Sequence, residues 1–203
     1  MKKVLALLLI LATLSISVSC DHPSDEDSVE KTKSKTTKTT QEITTKTTEK
    51  SQANQGNWKM GEFVDEFEHP TGNKHLTAMV YDGKFSNSAT TNSSLYAAVQ
   101  VTSNNVAIML WEYGSNLVKG TFDRNDYSIT VLDQTGKKHY FSGVMYDDDT
   151  RIYVSNSDRS DFLNILKKSG KISIYLEYSK YTKSTYLFTI ETTGFSGLYS
   201  QLS

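Results

Sequence analysis

One cysteine in 203 residues excludes an internal disulfide and any zinc site built on clustered cysteines. A basic excess is missing too. Lys and Arg number 22 against 23 Asp and Glu, a formal charge of −1, so the chain lacks the phosphate-neutralising charge on which nucleic-acid binding rests. No G-x-S-x-G elbow, H-E-x-x-H pair or P-loop is present, which leaves nucleophilic, zinc-peptidase and nucleotide chemistry without their usual scaffolds. Aromatic residues are absent from Asp21 to Asn57, where the only aliphatic side chains are Val29, Ile43 and Ala53. Such a stretch cannot bury enough apolar surface to offset its ordering entropy, which predicts a disordered tether.

What the chain has begins with Met1-Lys2-Lys3, the apolar run Val4 to Leu14 and a small, mostly polar tail, Ser15 to Ser19. The apolar run falls short of the about 20 residues of a transmembrane helix, and the pattern is that of a signal peptide over residues 1–19. It ends at Cys20, the lone cysteine. Ser17-Val18-Ser19-Cys20 resembles the lipobox of bacterial lipoproteins. That resemblance implies that Cys20 becomes a mature N-terminus carrying fatty acyl chains of the palmitate kind, and so anchors the protein on the extracytoplasmic face of a cell membrane or outer membrane. At about 0.8 kcal/mol per buried methylene, two or three such chains hold durably.

The tether, residues 20–57, starts acidic, with Asp21, Asp25, Glu26, Asp27 and Glu30. From Lys31 to Lys50 it alternates Lys with Thr pairs. As a flexible coil it has a root-mean-square span of about 30–35 Å, enough for the domain that follows to stand off a bilayer.

From Trp58 onward aromatic residues appear throughout and short β-rich runs recur between Gly, Asn, Asp and Ser. Leu76–Tyr81, Leu95–Thr102, Val106–Tyr113, Tyr127–Leu132, His139–Tyr146, Arg151–Ser155, Ile172–Tyr178 and Thr185–Glu191 read as strands. Alternation sets Leu95, Ala97, Val99 and Val101 on one face, and likewise Ile172, Ile174 and Leu176, then Tyr186, Phe188 and Ile190. Strands this short with few helices between them predict a mainly all-β domain over 58–203: an antiparallel β-sandwich or barrel of about eight strands. Ser157 or Asp158 as cap, the apolar positions Phe162, Leu163, Ile165 and Leu166, then Lys167, Lys168 and Gly170 predict one inserted helix. Phe195, Leu198, Tyr199 and Leu202 predict a short C-terminal helix.

The string Val64-Asp65-Glu66-Phe67, Pro70-Thr71-Gly72, Phe85 to Ser93 and Glu112-Tyr113-Gly114 resembles a group of small bacterial lipoproteins. The second half, with its Phe162-Leu163…Leu166 helix and the ending Phe188 to Ser196, is more loosely similar to secreted β-sandwich proteins of the invasion-associated and type VI secretion accessory kinds. Both resemblances imply a fold and an extracytoplasmic place. Neither implies a catalytic residue, a cofactor or a ligand.

Chemistry-bearing candidates are few. His69 and His75 flank Pro70-Thr71-Gly72 near Asp65, Glu66 and Glu68. They make a candidate metal or acid–base cluster whose spacing matches no established metal motif; solvated turn residues are the plainer reading. Asp147-Asp148-Asp149 invites Ca²⁺ but lacks the alternating ligand pattern, which favours a charged hairpin connection. The uncharged polar segment containing Asn87, Thr90, Thr91 and Asn92 is a candidate ligand-reading loop, or else an internally bonded turn. Tyr175, Tyr178, Tyr181 and Tyr186 gather around Lys180 and Lys183, and Tyr175 and Tyr178 are candidate contact residues for protein or glycan. Trp111, on a strand apolar on both faces, reads as core. Together these features predict a non-enzymatic, lipid-anchored module that binds a protein or an envelope component. The alternatives are a metal-dependent or hydrolytic enzyme using the His69/His75 cluster, and a passive envelope lipoprotein.

Overall fold

The computed structural model describes residues 56–203 apart from 181, 182 and 203. The predicted signal peptide, Cys20 and nearly all of the tether lie outside the described residues. Ten strands and two short helices follow one another: β1 (Trp58–Val64), β2 (Pro70–Ser86), β3 (Ser93–Val101), β4 (Val106–Glu112), β5 (Asn116–Leu117), β6 (Arg124–Leu132), β7 (Lys138–Tyr146), β8 (Ile152–Val154), α1 (Asn156–Leu166), β9 (Lys171–Tyr178), β10 (Ser184–Glu191) and α2 (Phe195–Tyr199).

Of the two architectures the alternation allows, the chain takes the barrel. Eight antiparallel strands run β2-β3-β4-β8-β7-β6-β9-β10 and return to β2, while β1 adds to β2 and β5 to β4. At eight strands the interior is just wide enough for side chains to fill. The inward faces do so: Leu76 and Ala78 of β2, Val99 of β3, Ile108 of β4, Val131 of β6 and Ile174 of β9 are all fully buried in one cluster. Gly143 of β7 also faces inward, and a Cβ there would lie 2.8 Å from both Ile129 and Ile152, so even one methyl would overfill that layer.

Closure depends on β2. One edge pairs with β3 from Leu76 to Phe85. The other edge serves β1 from Pro70 to Ala78 and then β10 from Lys84 to Ser86. Between those two partners, Tyr81 and Asp82 form a bulge. It shifts the inward positions from even (Leu76, Ala78, Val80) to odd (Gly83, Phe85). The sequence reading ends this strand at Tyr81, because the alternation breaks there. At Gly83 a Cβ would sit 3.1 Å from the Leu95 carbonyl and 3.1 Å from Phe188 Cβ, which is how tightly β3 and β10 clasp β2.

One barrel end is plugged. Phe162, Leu163, Ile165 and Leu166 of α1 are buried, with Phe162 edge-on to Phe141 at 5.2 Å. The helix begins at Asn156 with Ser155 as N-cap, so neither Ser157 nor Asp158 is the cap. Asp158 instead accepts a 2.7 Å hydrogen bond from the Ser142 amide of β7, tying the first turn to the barrel. At the other end of α1 the Gln134 amide donates to the carbonyls of Ile165 (3.0 Å) and Lys168 (2.8 Å). The helix's last carbonyls are thus satisfied from the β6–β7 turn. Phe195 of α2 packs on Trp58 at 4.7 Å, and the Trp58 indole N–H donates to the Glu191 carbonyl at 2.9 Å.

Trp111 is a correction. It is half-buried on the outer surface beside Leu117, with Met109 on the same face, while Ile108 and Leu110 point inside. A strand of a closed barrel can be apolar on both faces without being sandwiched between two layers.

The β6–β7 turn is organised by a buried carboxylate. Asp133 Oδ1 accepts from the Thr135 amide (2.9 Å), the Thr135 hydroxyl (2.6 Å) and the Lys137 amide (3.0 Å), and Oδ2 accepts from His139 Nε2 at 2.8 Å. The Thr135 hydroxyl and then His139 hold this carboxyl well below the usual carboxylate range. A depressed carboxylate stabilises the fold above its unfolded-state pKa and loses that contribution as the pH falls. Asp133→Asn is therefore expected to lower the urea midpoint at pH 7 and to flatten the decline of stability below about pH 4, read from urea midpoints against pH.

Gly120 provides a steric test. Its amide donates to the Asp149 carbonyl (2.9 Å) and its carbonyl accepts from the Asp148 amide (3.3 Å), and a Cβ would overlap the Tyr146 carbonyl. Gly120→Ala is expected to cost about 1–3 kcal/mol in urea denaturation. Gly197→Ala, with open space around its Cβ, should stay within about 0.5 kcal/mol.

Candidate functional site

The end of the barrel opposite the helices is ringed by connections: Asn87–Asn92 between β2 and β3, 113–123 between β4 and β6, 147–151 between β7 and β8, and Ser179, Lys180 and Lys183 between β9 and β10. Just inside this mouth the alternating inward faces end in polar residues. Glu112 continues the face of Ile108 and Leu110, Tyr178 that of Ile174 and Leu176, and Tyr186 that of Phe188 and Ile190. Asn125 and Tyr127 open the inward face of β6.

These side chains bond to one another. The Tyr186 hydroxyl donates to Glu112 Oε1 at 3.0 Å, and the Tyr178 hydroxyl to Asn125 Oδ1 at 3.4 Å. Asn125 Nδ2 donates to the carbonyls of Phe122 (3.1 Å) and Met145 (3.2 Å). The Tyr127 and Tyr178 rings lie 5.3 Å apart. Burial first pushes the Tyr127 and Tyr186 phenols well above their ordinary pKa, followed by Tyr178 and then Glu112 at Tyr127 and by the Glu112 carboxylate at Tyr186. Both therefore stay protonated hydrogen-bond donors across the physiological range.

On the rim, the polar loop takes the internally bonded form. Asn87 Oδ1 accepts from the amides of Ala89 (2.9 Å) and Thr90 (3.1 Å), and the Asn87 amide donates back to the Thr90 carbonyl (3.0 Å). The hydroxyls of Thr90 and Ser93 bond to each other. Asn92, at φ 55°, donates its amide to Ser86 Oγ at 3.0 Å. Thr91 and Asn92 are the members of this set that the loop leaves exposed. Beside it, Ser86, Asn87, Ser88, Lys183 and Thr185 line a shallow cleft of about 410 Å³.

Tyr175 and Tyr178 part company. Tyr178 turns into the mouth, whereas Tyr175 lies on the outer face and donates to Glu177 Oε2 at 3.1 Å. Lys183 Nζ meets the same oxygen at 3.1 Å. Lys183 first, then Tyr175, holds the Glu177 carboxyl below its usual range. Lys183 and Thr185, the latter directly opposite Glu177, line the rim cleft, so the Tyr175–Glu177 pair anchors Lys183 from behind it.

The histidine cluster does not assemble. Pro70-Thr71-Gly72 belongs to β2, and the turn is Asp65–His69. There Asp65 Oδ1 accepts from the Phe67 and His69 amides, each at 2.9 Å, and His69 Nδ1 lies 3.6 Å from Asp65 Oδ2. His75 pairs with Gly61 further along the ribbon, its ring 4.6 Å from that of Phe63. At about 3.3 Å per residue the two histidines are about 20 Å apart. Among the described residues no group of three or more His, Cys, Asp or Glu could hold a metal ion. Asp147-Asp148-Asp149 is the β7–β8 connection, with Asp148 at φ 55°.

The inward polar layer of Glu112, Asn125 and Tyr127 escapes the sequence reading. Its signal is a polar residue at the end of an alternating apolar face, a signal shared by any strand that merely runs out into solvent. No family model, curated protein or solved structure matches the chain.

Tyr186→Phe removes the donor to half-buried Glu112, and an expected loss of about 0.5–1.5 kcal/mol at pH 7 is read from urea midpoints. Because a raised phenol pKa stabilises below the unfolded-state value and loses that contribution above it, wild-type stability should fall as pH rises past about 10. That fall should be shallower in Tyr186→Phe, with phenolate absorbance rising together with unfolding.

Proposed function

We propose that this protein is a lipid-anchored, extracytoplasmic, non-enzymatic binding module, held away from its membrane by the 20–57 tether and contacting a protein or envelope component through the barrel rim. The observation that carries the reading is the position of the lone cysteine, Cys20, directly after a lysine-led apolar run and a small-residue tail. An anchor followed by a spacer suits a domain that must reach a partner. The rim supports the contact role, because its loop is already rigid and its exposed groups, Thr91, Asn92 and the cleft residues, need little ordering on binding.

Two experiments test it. Metabolic labelling with an alkyne fatty acid in a bacterial host should mark the wild-type chain and not Cys20→Ala, and the variant should move from the membrane to the soluble fraction. Labelling that persists in Cys20→Ala would overturn the anchor. Detergent-solubilised full-length protein should bind isolated cell envelopes saturably, and Lys183→Glu, which breaks the pair with Glu177, should weaken that binding about tenfold. Binding that never saturates would overturn the module.

A further inference from the structure

The barrel's flank carries a second concavity, away from the rim cleft. Asn105, Arg124, Tyr146, Asp149, Tyr153 and Asn156 help line a groove of about 520 Å³ on the outer surface over β7 and β8. Its origin is the shortness of β8, which has three residues where β7 has nine. The connection before β8 forms one end, and the start of α1 forms the other. Tyr146 stands directly opposite Arg124, and Tyr153 directly opposite Val144, so the two rings border the groove on neighbouring strands. Tyr146 is 48% exposed.

We propose that this groove binds a neutral oligosaccharide. The inference goes beyond the rim contact proposed above and adds a second, separate site on the same domain. A pyranose ring offers an apolar C–H face and a rim of hydroxyls that both donate and accept. The groove answers each part. Tyr146 and Tyr153 supply amphipathic rings. Asn105 and Asn156 supply amides with donors and acceptors together, and Arg124 and Asp149 supply forked groups suited to adjacent hydroxyls. Asp149 is held ready, its Oδ1 accepting from the amides of Thr150 (2.7 Å) and Arg151 (3.0 Å).

Charge and backbone narrow the ligand class further. Arg124 Nε lies 2.7 Å from Asp126, and Arg151 Nη1 lies 4.0 Å from Asp149, so the charges at the groove cancel in pairs and give no net pull on an anion or a cation. A peptide adding as a strand needs an open sheet edge. Both edges of β8 are taken, by β4 and by β7. The volume lies within the about 300–1,000 Å³ of small-molecule sites and admits more than one sugar ring.

The test uses detergent-solubilised full-length protein and neutral tetrasaccharides of glucose, mannose and N-acetylglucosamine, read by calorimetry and by saturation transfer to the sugar protons. At least one should bind saturably. Tyr146→Ala and Asn156→Ala, both at exposed positions, should each weaken that binding about tenfold while leaving the urea midpoint unchanged. Absence of saturable binding to every member of the panel would overturn the proposal, as would binding that survives Tyr146→Ala or tighter binding of a tetragalacturonate than of any neutral sugar. Failure here alongside saturable envelope binding leaves the module reading standing. Failure of envelope binding alongside sugar binding removes the envelope partner and keeps the groove.

Discussion

The barrel exists because β2 changes partners along one edge. A strand of 17 residues that held a single straight register would offer Asp82 and Lys84 to the interior. Burying two charges unpaired would cost far more than the marginal stability of a domain this size. The bulge at Tyr81 and Asp82 turns both outward, delivers Gly83 and Phe85 to the core, and frees the edge of β2 beyond it to receive β10. With that pairing the sheet has no open end and the eight inward faces become one interior.

Closure also decides where chemistry can sit. An interior filled to the point that Gly143 has no room for a methyl leaves the mouth, the rim and the outer surface for ligands. The two ends divide the labour by what closes them. At the plugged end, helix carbonyls and the Asp133 turn are satisfied by Gln134, Thr135 and His139, so polar groups there serve the fold. At the mouth no helix intervenes among the described residues, and the polar layer of Glu112, Asn125, Tyr127, Tyr178 and Tyr186 separates the apolar core from the rim loops. The short β8 adds a third place, the flank groove, by leaving a gap in the outer wall between the start of α1 and the 147–151 connection.

Much of the fold was legible because its strands keep a strict period of two. Ile172, Ile174 and Leu176, or Tyr186, Phe188 and Ile190, need only their own spacing to declare an inward face, and the structure buries all six. The helices were legible for a related reason, since Phe162, Leu163, Ile165 and Leu166 fit one helical face. The missed pieces lack such a period. In β1, Gly61 breaks the pattern because it must pass under the His75 ring, and Glu62 sits between it and Phe63. The candidate site was half legible. The Asn87 loop and the tyrosine hairpin were marked by composition, and the alternation of Ile172, Ile174 and Leu176 already sets Tyr175 outward, but that Tyr178 meets Asn125 and Tyr127 in the mouth follows from strand pairing. The His69/His75 pairing suggested by closeness in sequence fails because an extended strand carries neighbours apart, not together.

By itself, then, the sequence determined which side chains of each strand share a face and where the plugging helix lies; both are properties of windows a few residues long. Tertiary structure alone decided that the sheet closes, that β8 bridges β4 and β7, that Trp111 lies outside, and that residues as distant as Asn87 and Lys183 line one cleft. The physical reason is that strand alternation says nothing about which strand is the neighbour. Pairing partners are chosen by long-range register, and in this chain the bulge in β2 sets that register.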